Sequence, residues 1–331
     1  MSKASVEGFT WTLYDVDSMT PGEIYGQVIC DLAELHPEIV ALTADLGKST
    51  KIGVMGKKYP GRFFNVGVAE QDLFGISAGL ALAGLVPFVA TFACFVSMRA
   101  VEFIRTDICY QNLNCKIIGS HAGTSFTTGG TTHHSTEDLA IMRSLANMTV
   151  IVPADGYEAA NAVKASMNIN GPVYIRINRG ADPVVNESED YAFEVGKAVE
   201  MHPGTDITII VCGATVFPAV KAADVLKAEH GIAARVLNMH TIKPIDREAI
   251  LAAIDDTHRI LTVEDHNVIG GLGSTVADVI AESGRSCAFQ KVGIPDTFGI
   301  MGGTEDIQHQ YKMDTDGIVE TALEIVGRDL N

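Results

Sequence analysis

The sequence predicts an α/β fold of two three-layer αβα domains, each a parallel sheet with helices on both faces. Three observations predict it. Apolar strand-like runs alternate with helix-like segments along most of the chain; one acidic polar run, Asn186-Glu-Ser-Glu-Asp190, interrupts that rhythm; and 331 residues at 47% hydrophobic content are about two domains' worth, with enough apolar mass for a large core. The expected division is residues 1–190 and 191–331.

Pro21-Gly22 opens a helix through Ile24, Val28, Ile29 and Leu32, and Ile39-Val-Ala-Leu-Thr-Ala44 reads as a buried strand. The polar segment Asp45 to Lys51 follows that strand's carboxyl end, where open parallel sheets bind ligands. Asp45, Ser49 and Thr50 are candidates on that ground; a solvated loop is the other reading. Asn65 to Gly67 can end a second strand, and Glu70 to Ala83 can be a helix closed by Gly84. That helix mixes Gly75, Ser77, Ala78 and Gly79 with Leu73, Phe74, Ile76, Leu80 and Leu82, so it has no polar face and is expected to be buried and closely approached. The helix dipole favours a carboxylate at Glu70, whereas burial raises its pKa. Glu70 is either a reactive acid or a helix-start residue satisfying backbone amides.

Val86 to Phe92 is a strand and Phe95 to Ile108 a helix, with Phe92, Phe95 and Phe103 as core aromatics or a ligand wall. Lys116 to His121 is a strand ending on a histidine. The Gly/Thr-rich loop beyond it, carrying His133 and His134, is too long and polar to be core. Histidines 121, 133 and 134 can exchange protons near neutral pH, or two of them can ligate a metal, although no acidic or cysteine partner recurs at ligand spacing. Glu137 to Leu145 (helix), Met148 to Val152 (strand), Gly156 to Met167 (helix) and Pro172 to Ile177 (strand, ending near Arg179) complete the first unit.

The second unit starts near Val195, with strands at Ile207–Val211, Ala233–Asn238 and Arg259–Val263 and helices at Val216–His230, Arg247–Ile254 and Ser274–Ser283. Gly270, Gly271 and Gly273 resemble a dinucleotide fingerprint only superficially, since that pattern follows the first strand of its unit. A tight strand-to-helix turn is the expectation.

With 41 acidic against 24 basic residues the formal charge is −17, which argues against nucleic acid or an anionic membrane surface as a partner. Met1 to Ser18 contains no signal-like apolar run, and no uncharged apolar stretch is long enough to span a bilayer. Six scattered cysteines without a CxxC pair point to reduced thiols in a cytoplasmic protein and argue against zinc.

Six motifs carry a resemblance: Thr43-Ala-Asp-Leu46, Phe63-Phe-Asn-Val-Gly-Val-Ala-Glu-Gln71, Thr91-Phe-Ala-Cys-Phe95, Gly130-Thr-Thr-His133, Asn238-Met-His-Thr-Ile-Lys-Pro-Ile245 and Asp296-Thr-Phe-Gly299. Over essentially its full length the chain resembles the C-terminal subunit of split transketolases, the pyrimidine-binding domain followed by the transketolase C-terminal domain. The resemblance implies a catalytic subunit that transfers a two-carbon ketol unit between sugars with thiamine diphosphate. The glutamate matching Glu70 then hydrogen-bonds N1′ of the cofactor's aminopyrimidine, favouring the imino tautomer that takes the thiazolium C2 proton. Phe92 and Phe95 line the aminopyrimidine, and Asp45 with Leu46 lies at the cofactor edge. His121 and His133 contact substrate, and Ser49 and Arg179 hold a sugar phosphate.

Three departures bear on substrate: the arginine expected at Gly22 is missing, Thr127-Thr-Gly-Gly130 replaces Gly-Glu-Asp-Gly, and His134 replaces a glutamine. Gly129 removes an acid that reads the donor's hydroxyl configuration. The chain also lacks the Gly-Asp-Gly motif that binds the diphosphate's metal. The resemblance therefore implies a separate N-terminal diphosphate-binding subunit carrying Mg2+ or Ca2+, no metal ligand in this chain, and an α2β2 assembly. The alternatives are the beta subunit of a 2-oxo acid dehydrogenase decarboxylase component, a deoxyxylulose-phosphate-synthase-like enzyme, and a non-catalytic structural partner.

Overall fold

A computed structural model describes residues 5–6, 9–10, 19–180, 182–186 and 193–328. The boundary expected at 190/191 and most of the Met1–Ser18 segment lie outside these residues. Both expected sheets are present. The first runs Thr241–Lys243, Thr149–Ile151, Val173–Arg176, Lys116–Ser120, Val86–Phe92, Ile39–Thr43, Phe63–Asn65, all parallel except Thr241–Lys243. The second runs Ala288–Ile294, Arg259–Asn267, Ile207–Val211, Ala234–Asn238, Val199–His202, with only the last antiparallel.

The inner strands Ile39–Thr43, Val86–Phe92, Lys116–Ser120 and Ile207–Val211 are buried throughout, as expected of apolar strands covered by helices on both faces. Thr241–Lys243 was not expected as a strand. It leaves the second unit to pair antiparallel with Thr149–Ile151 of the first, so a segment of one unit completes the other's sheet.

Two helices depart from expectation. The Phe95–Ile108 helix begins earlier, at Ala93, breaks at Ala100, and resumes as Val101–Phe103 followed by a wide π-helical segment, Ile104–Cys109. The Glu70–Leu82 helix buries Glu70, Leu73, Phe74, Ser77 and Ala78, but it is not enclosed. Only one side lies on the sheet, and the opposite side is bare: Leu82 is 63% exposed, Ile76 is also exposed, and a Cβ at Gly75 or Gly79 would meet nothing within 4 Å.

The glycine turn before the Leu272–Ser283 helix holds the protein's own carboxylate. Buried Glu264 accepts from the Leu272 and Gly273 amides at 2.7 and 2.8 Å, and a Cβ at Gly271 would lie 2.0 Å from its Oε2. The amides that would bind a dinucleotide phosphate are thus occupied.

A buried polar hub joins the two units. Arg176 pairs with Asp138 at 2.9 Å and donates to the Ser135 carbonyl at 3.1 Å and to the Asp265 carbonyl at 2.9 Å; Tyr174 donates to Asp138 at 2.7 Å. Burial alone would raise the Asp138 pKa, but the charges of Arg176 and His266 together with the hydrogen bonds from Arg176 and Tyr174 outweigh it and leave the carboxyl below its usual range. No helix among the described residues is long and apolar enough to cross a membrane.

Candidate active site

Phe92 and Ser120 are paired across neighbouring parallel strands, so His121, the next residue, emerges beside Phe92. The two rings stack with centroids 4.0 Å apart. His121 holds φ +55°, a left-handed conformation that is uncommon outside glycine and clusters at functional sites. Phe95, three residues into the next helix, places its ring 5.5 Å from Phe92.

Backbone hydrogen bonds between Gly123 and Ser135, at 3.1 and 2.8 Å, close the long loop and return His133 to within 5.6 Å of Phe95, centroid to centroid. The loop is pinned from the second unit: Asp265 accepts from the Thr124 amide at 3.0 Å and from its hydroxyl at 3.0 Å. Phe92, Phe95, His121 and His133 thus form one wall at the carboxyl ends of adjacent strands, where a parallel sheet binds ligands.

Burial, with smaller contributions from the charges of Arg179, His133 and Lys51, lowers the His121 pKa to about 4. Its imidazole is neutral at physiological pH and can both accept and donate a hydrogen bond; Nδ1 lies 3.2 Å from the Ser120 hydroxyl.

Glu70 starts its helix 4% exposed, and its side chain meets Arg99, whose Nη1 lies 3.2 and 3.3 Å from the two carboxylate oxygens. The same guanidinium stacks on Phe95, Cζ 3.7 Å from the ring centroid. Glu70 is therefore tied to the aromatic wall through a residue that sequence reasoning passes over. The available signal was spacing, since a cation four positions after an aromatic shares its helix face.

Phe126 was missed too. It stands edge-on to His121 at 5.0 Å, to His133 at 5.3 Å and to Phe92 at 5.6 Å, with Arg179 over its face at 4.8 Å. It accounts for the glycine at position 129, where a Cβ would lie 2.8 Å from the Phe126 ring and 3.0 Å from the His133 Cβ. The aromatic ring fills the space into which an acid at 129 would project. Its signal in the sequence was that it is the single aromatic between the two histidines.

Asp45, Leu46 and Ser49 follow the neighbouring strand; Asp45 and Ser49 are exposed. The Asp45 amide donates to Asn65 Oδ1 at 2.8 Å and the Asn65 amide side chain returns a bond to Asp45 at 3.0 Å, which ties this loop to the segment entering the Glu70 helix. A groove of about 870 Å3 runs here, lined by Glu23, Asp45, Lys48, Lys51, Lys57 and Asn65. Lys51 lies against Gly22, where a Cβ would be 3.3 Å from the lysine Cγ, and pairs with Glu23 at 3.1 Å.

An aromatic face beside a buried carboxylate suits an aminopyrimidine, which stacks through its ring and donates through a protonated nitrogen. A diphosphate-bound metal finds no such fit: among the described residues no group of three or more His, Cys, Asp or Glu side chains could hold a metal ion.

Residues 17–183 match the transketolase pyrimidine binding domain and residues 196–318 the transketolase C-terminal domain. The chain is 41% identical to a putative transketolase C-terminal section from Methanocaldococcus jannaschii, over 91% of this chain and 94% of that one. It is 40% identical to one subunit of an apulose-4-phosphate transketolase from Phocaeicola vulgatus, over 91% of this chain and 96% of that one. Its fold is similar to that of a split gene transketolase solved as an inactive beta4 tetramer, with a TM-score of 0.84 and 41% identity over 93% of this chain and 98% of that one.

Proposed function

The chain belongs to the transketolase family, and from that premise we propose that it is the pyrimidine-binding, catalytic subunit of a two-subunit, thiamine-diphosphate-dependent transketolase. It moves a two-carbon ketol unit from a ketose or ketose phosphate to an aldose acceptor. A separate N-terminal subunit supplies the diphosphate site and its Mg2+ or Ca2+, and the two form an α2β2 assembly. Residues 1–190 and 191–331 are its two domains.

The observation that carries this reading is the grouping of Glu70, Phe95, Phe92, His121 and His133 at the carboxyl ends of adjacent parallel strands. When bound, thiamine diphosphate supplies the nucleophilic carbon that takes up the two-carbon unit. Glu70 accepts a hydrogen bond from the aminopyrimidine N1′ and holds the proton there. Phe92 and Phe95 present their faces to that ring and exclude water, with Asp45 and Leu46 at its edge. His121, kept neutral, and His133 hydrogen-bond substrate hydroxyls. Arg179 and Ser49 hold the anionic end of a phosphorylated sugar, and Lys51 adds positive charge felt at His121.

Two observations support a partner. The open apolar side of the Glu70–Leu82 helix needs cover, and the 41% identical split relative is described as inactive in its beta4 form. The six cysteines are all free, which suits a cytoplasmic location.

Glu70→Gln in the reconstituted pair tests the assignment. It is expected to lower kcat by about 100-fold or more, the scale of lost general acid–base function. Unchanged ketol transfer at saturating cofactor refutes it.

A further inference from the structure

Arg99 makes two contacts at once, and they fall on the two groups assigned above to the aminopyrimidine. Its guanidinium sits over Phe95, Cζ 3.7 Å from the ring centroid, and Nη1 is shared between both Glu70 oxygens at 3.2 and 3.3 Å. A guanidinium is planar, carries an N–C–N edge that donates to a carboxylate, and stacks on aromatic faces. An aminopyrimidine is likewise planar, stacks on aromatic faces and, protonated at N1′, donates to a carboxylate. We propose that Arg99 is a displaceable stand-in for the cofactor: in the chain without its partner it occupies the aminopyrimidine's seat on Phe95 and Glu70, and cofactor and partner must expel it to assemble the site.

The geometry suits a latch rather than a permanent bond. One nitrogen serves both oxygens at long distances, in place of the parallel two-nitrogen fork of a strong arginine–carboxylate pair. Arg99 is half exposed while Glu70 is buried, so the arginine can leave into water and the carboxylate cannot. It ends the helix Ala93–Arg99, just before the break at Ala100. Met98 and Val68 beside it are 55% and 74% exposed, so the mouth of the seat lies on open surface. While the latch is closed, Glu70 does not face water without a counter-charge. The same closure reduces cofactor affinity by the fraction of time the seat is blocked.

The inference rests on the assignment of Glu70 and Phe95 to the aminopyrimidine, and the experiment separates the two. Isolated full-length chain is titrated with thiamine, which carries the aminopyrimidine without the diphosphate, by calorimetry and ligand-observed NMR. Wild type is compared with Arg99→Gln, Arg99→Ala and Arg99→Ala/Glu70→Gln, each checked for folding by circular dichroism. With the latch closed about nine-tenths of the time, both single variants bind thiamine about tenfold more tightly than wild type. The double variant loses that gain. Single variants that bind equally or more weakly, with the double variant weaker than Arg99→Ala, overturn the latch and leave the assignment of Glu70 standing. Binding that ignores both residues, or none in any variant, overturns the latch; the kinetics of Glu70→Gln in the reconstituted pair then judge the assignment separately.

Discussion

Arg176→Met tests the hub on which the histidine loop hangs. The substitution keeps the side chain's apolar volume but strips Asp138, which is fully buried, of its counter-charge. It also leaves the carbonyls of Ser135 and Asp265 without the guanidinium they share. Tyr174 remains on the carboxylate at 2.7 Å. Breaking one side of a buried pair in this way costs about 3–5 kcal/mol. For a cooperative unit of about 150–250 residues that lowers Tm by roughly 6–20 °C. Arg176→Met/Asp138→Leu removes both charges and is expected to recover most of the loss, because the penalty lies in the unpaired charge rather than in the absence of the pair.

The pH dependence has a definite sign. Asp138 has a depressed folded pKa, so its contribution is present above the unfolded value near ~4 and is lost as pH falls through the folded one. The gap between wild type and Arg176→Met should therefore narrow in acid. Thermal and urea unfolding followed by circular dichroism measure these quantities. A single-variant loss under about 1 kcal/mol, or a double variant no more stable than the single, refutes the reasoning.

Two further predictions concern the site, besides those attached to Glu70 and Arg99. His121 should titrate by NMR at about 4, against an ordinary 6.5, and Arg179→Ala should raise that value; because its folded pKa is depressed, stability falls as pH drops from 6.5 towards 4, and His121→Gln should lose that sensitivity. A titration near 6.5 contradicts the buried setting. Gly123→Ala places a Cβ 2.0 Å from Asp265 Oδ2 at φ +56°, so it should break the Thr124–Asp265 anchor and cost about 1–3 kcal/mol, measured by urea unfolding. Unchanged stability would show that the loop is not held from the second unit.

Much of this was legible along the chain. The alternation of strand and helix, the buried inner strands, the start of a helix at Glu70 and the placing of Phe92 and His121 at strand ends follow from hydrophobic period and turn residues, which are short-range properties. The nearly all-apolar Glu70–Leu82 helix was read correctly as apolar but wrongly as enclosed, because composition says that a face seeks cover and not which chain supplies it.

Sequence by itself determined the architecture, the chemistry-bearing side chains and their order. Tertiary structure decided which of them meet: Arg99 across Glu70 and Phe95, Phe126 in the space above Gly129, and Asp265 on the Thr124 amide from 141 residues away. It also sent Thr241–Lys243 back to the first sheet. The reason is range. Backbone geometry and hydrophobic period act over a few residues and are written in any short window. A guanidinium's choice of partner or a glycine's clearance depends on surfaces that only the folded chain brings together.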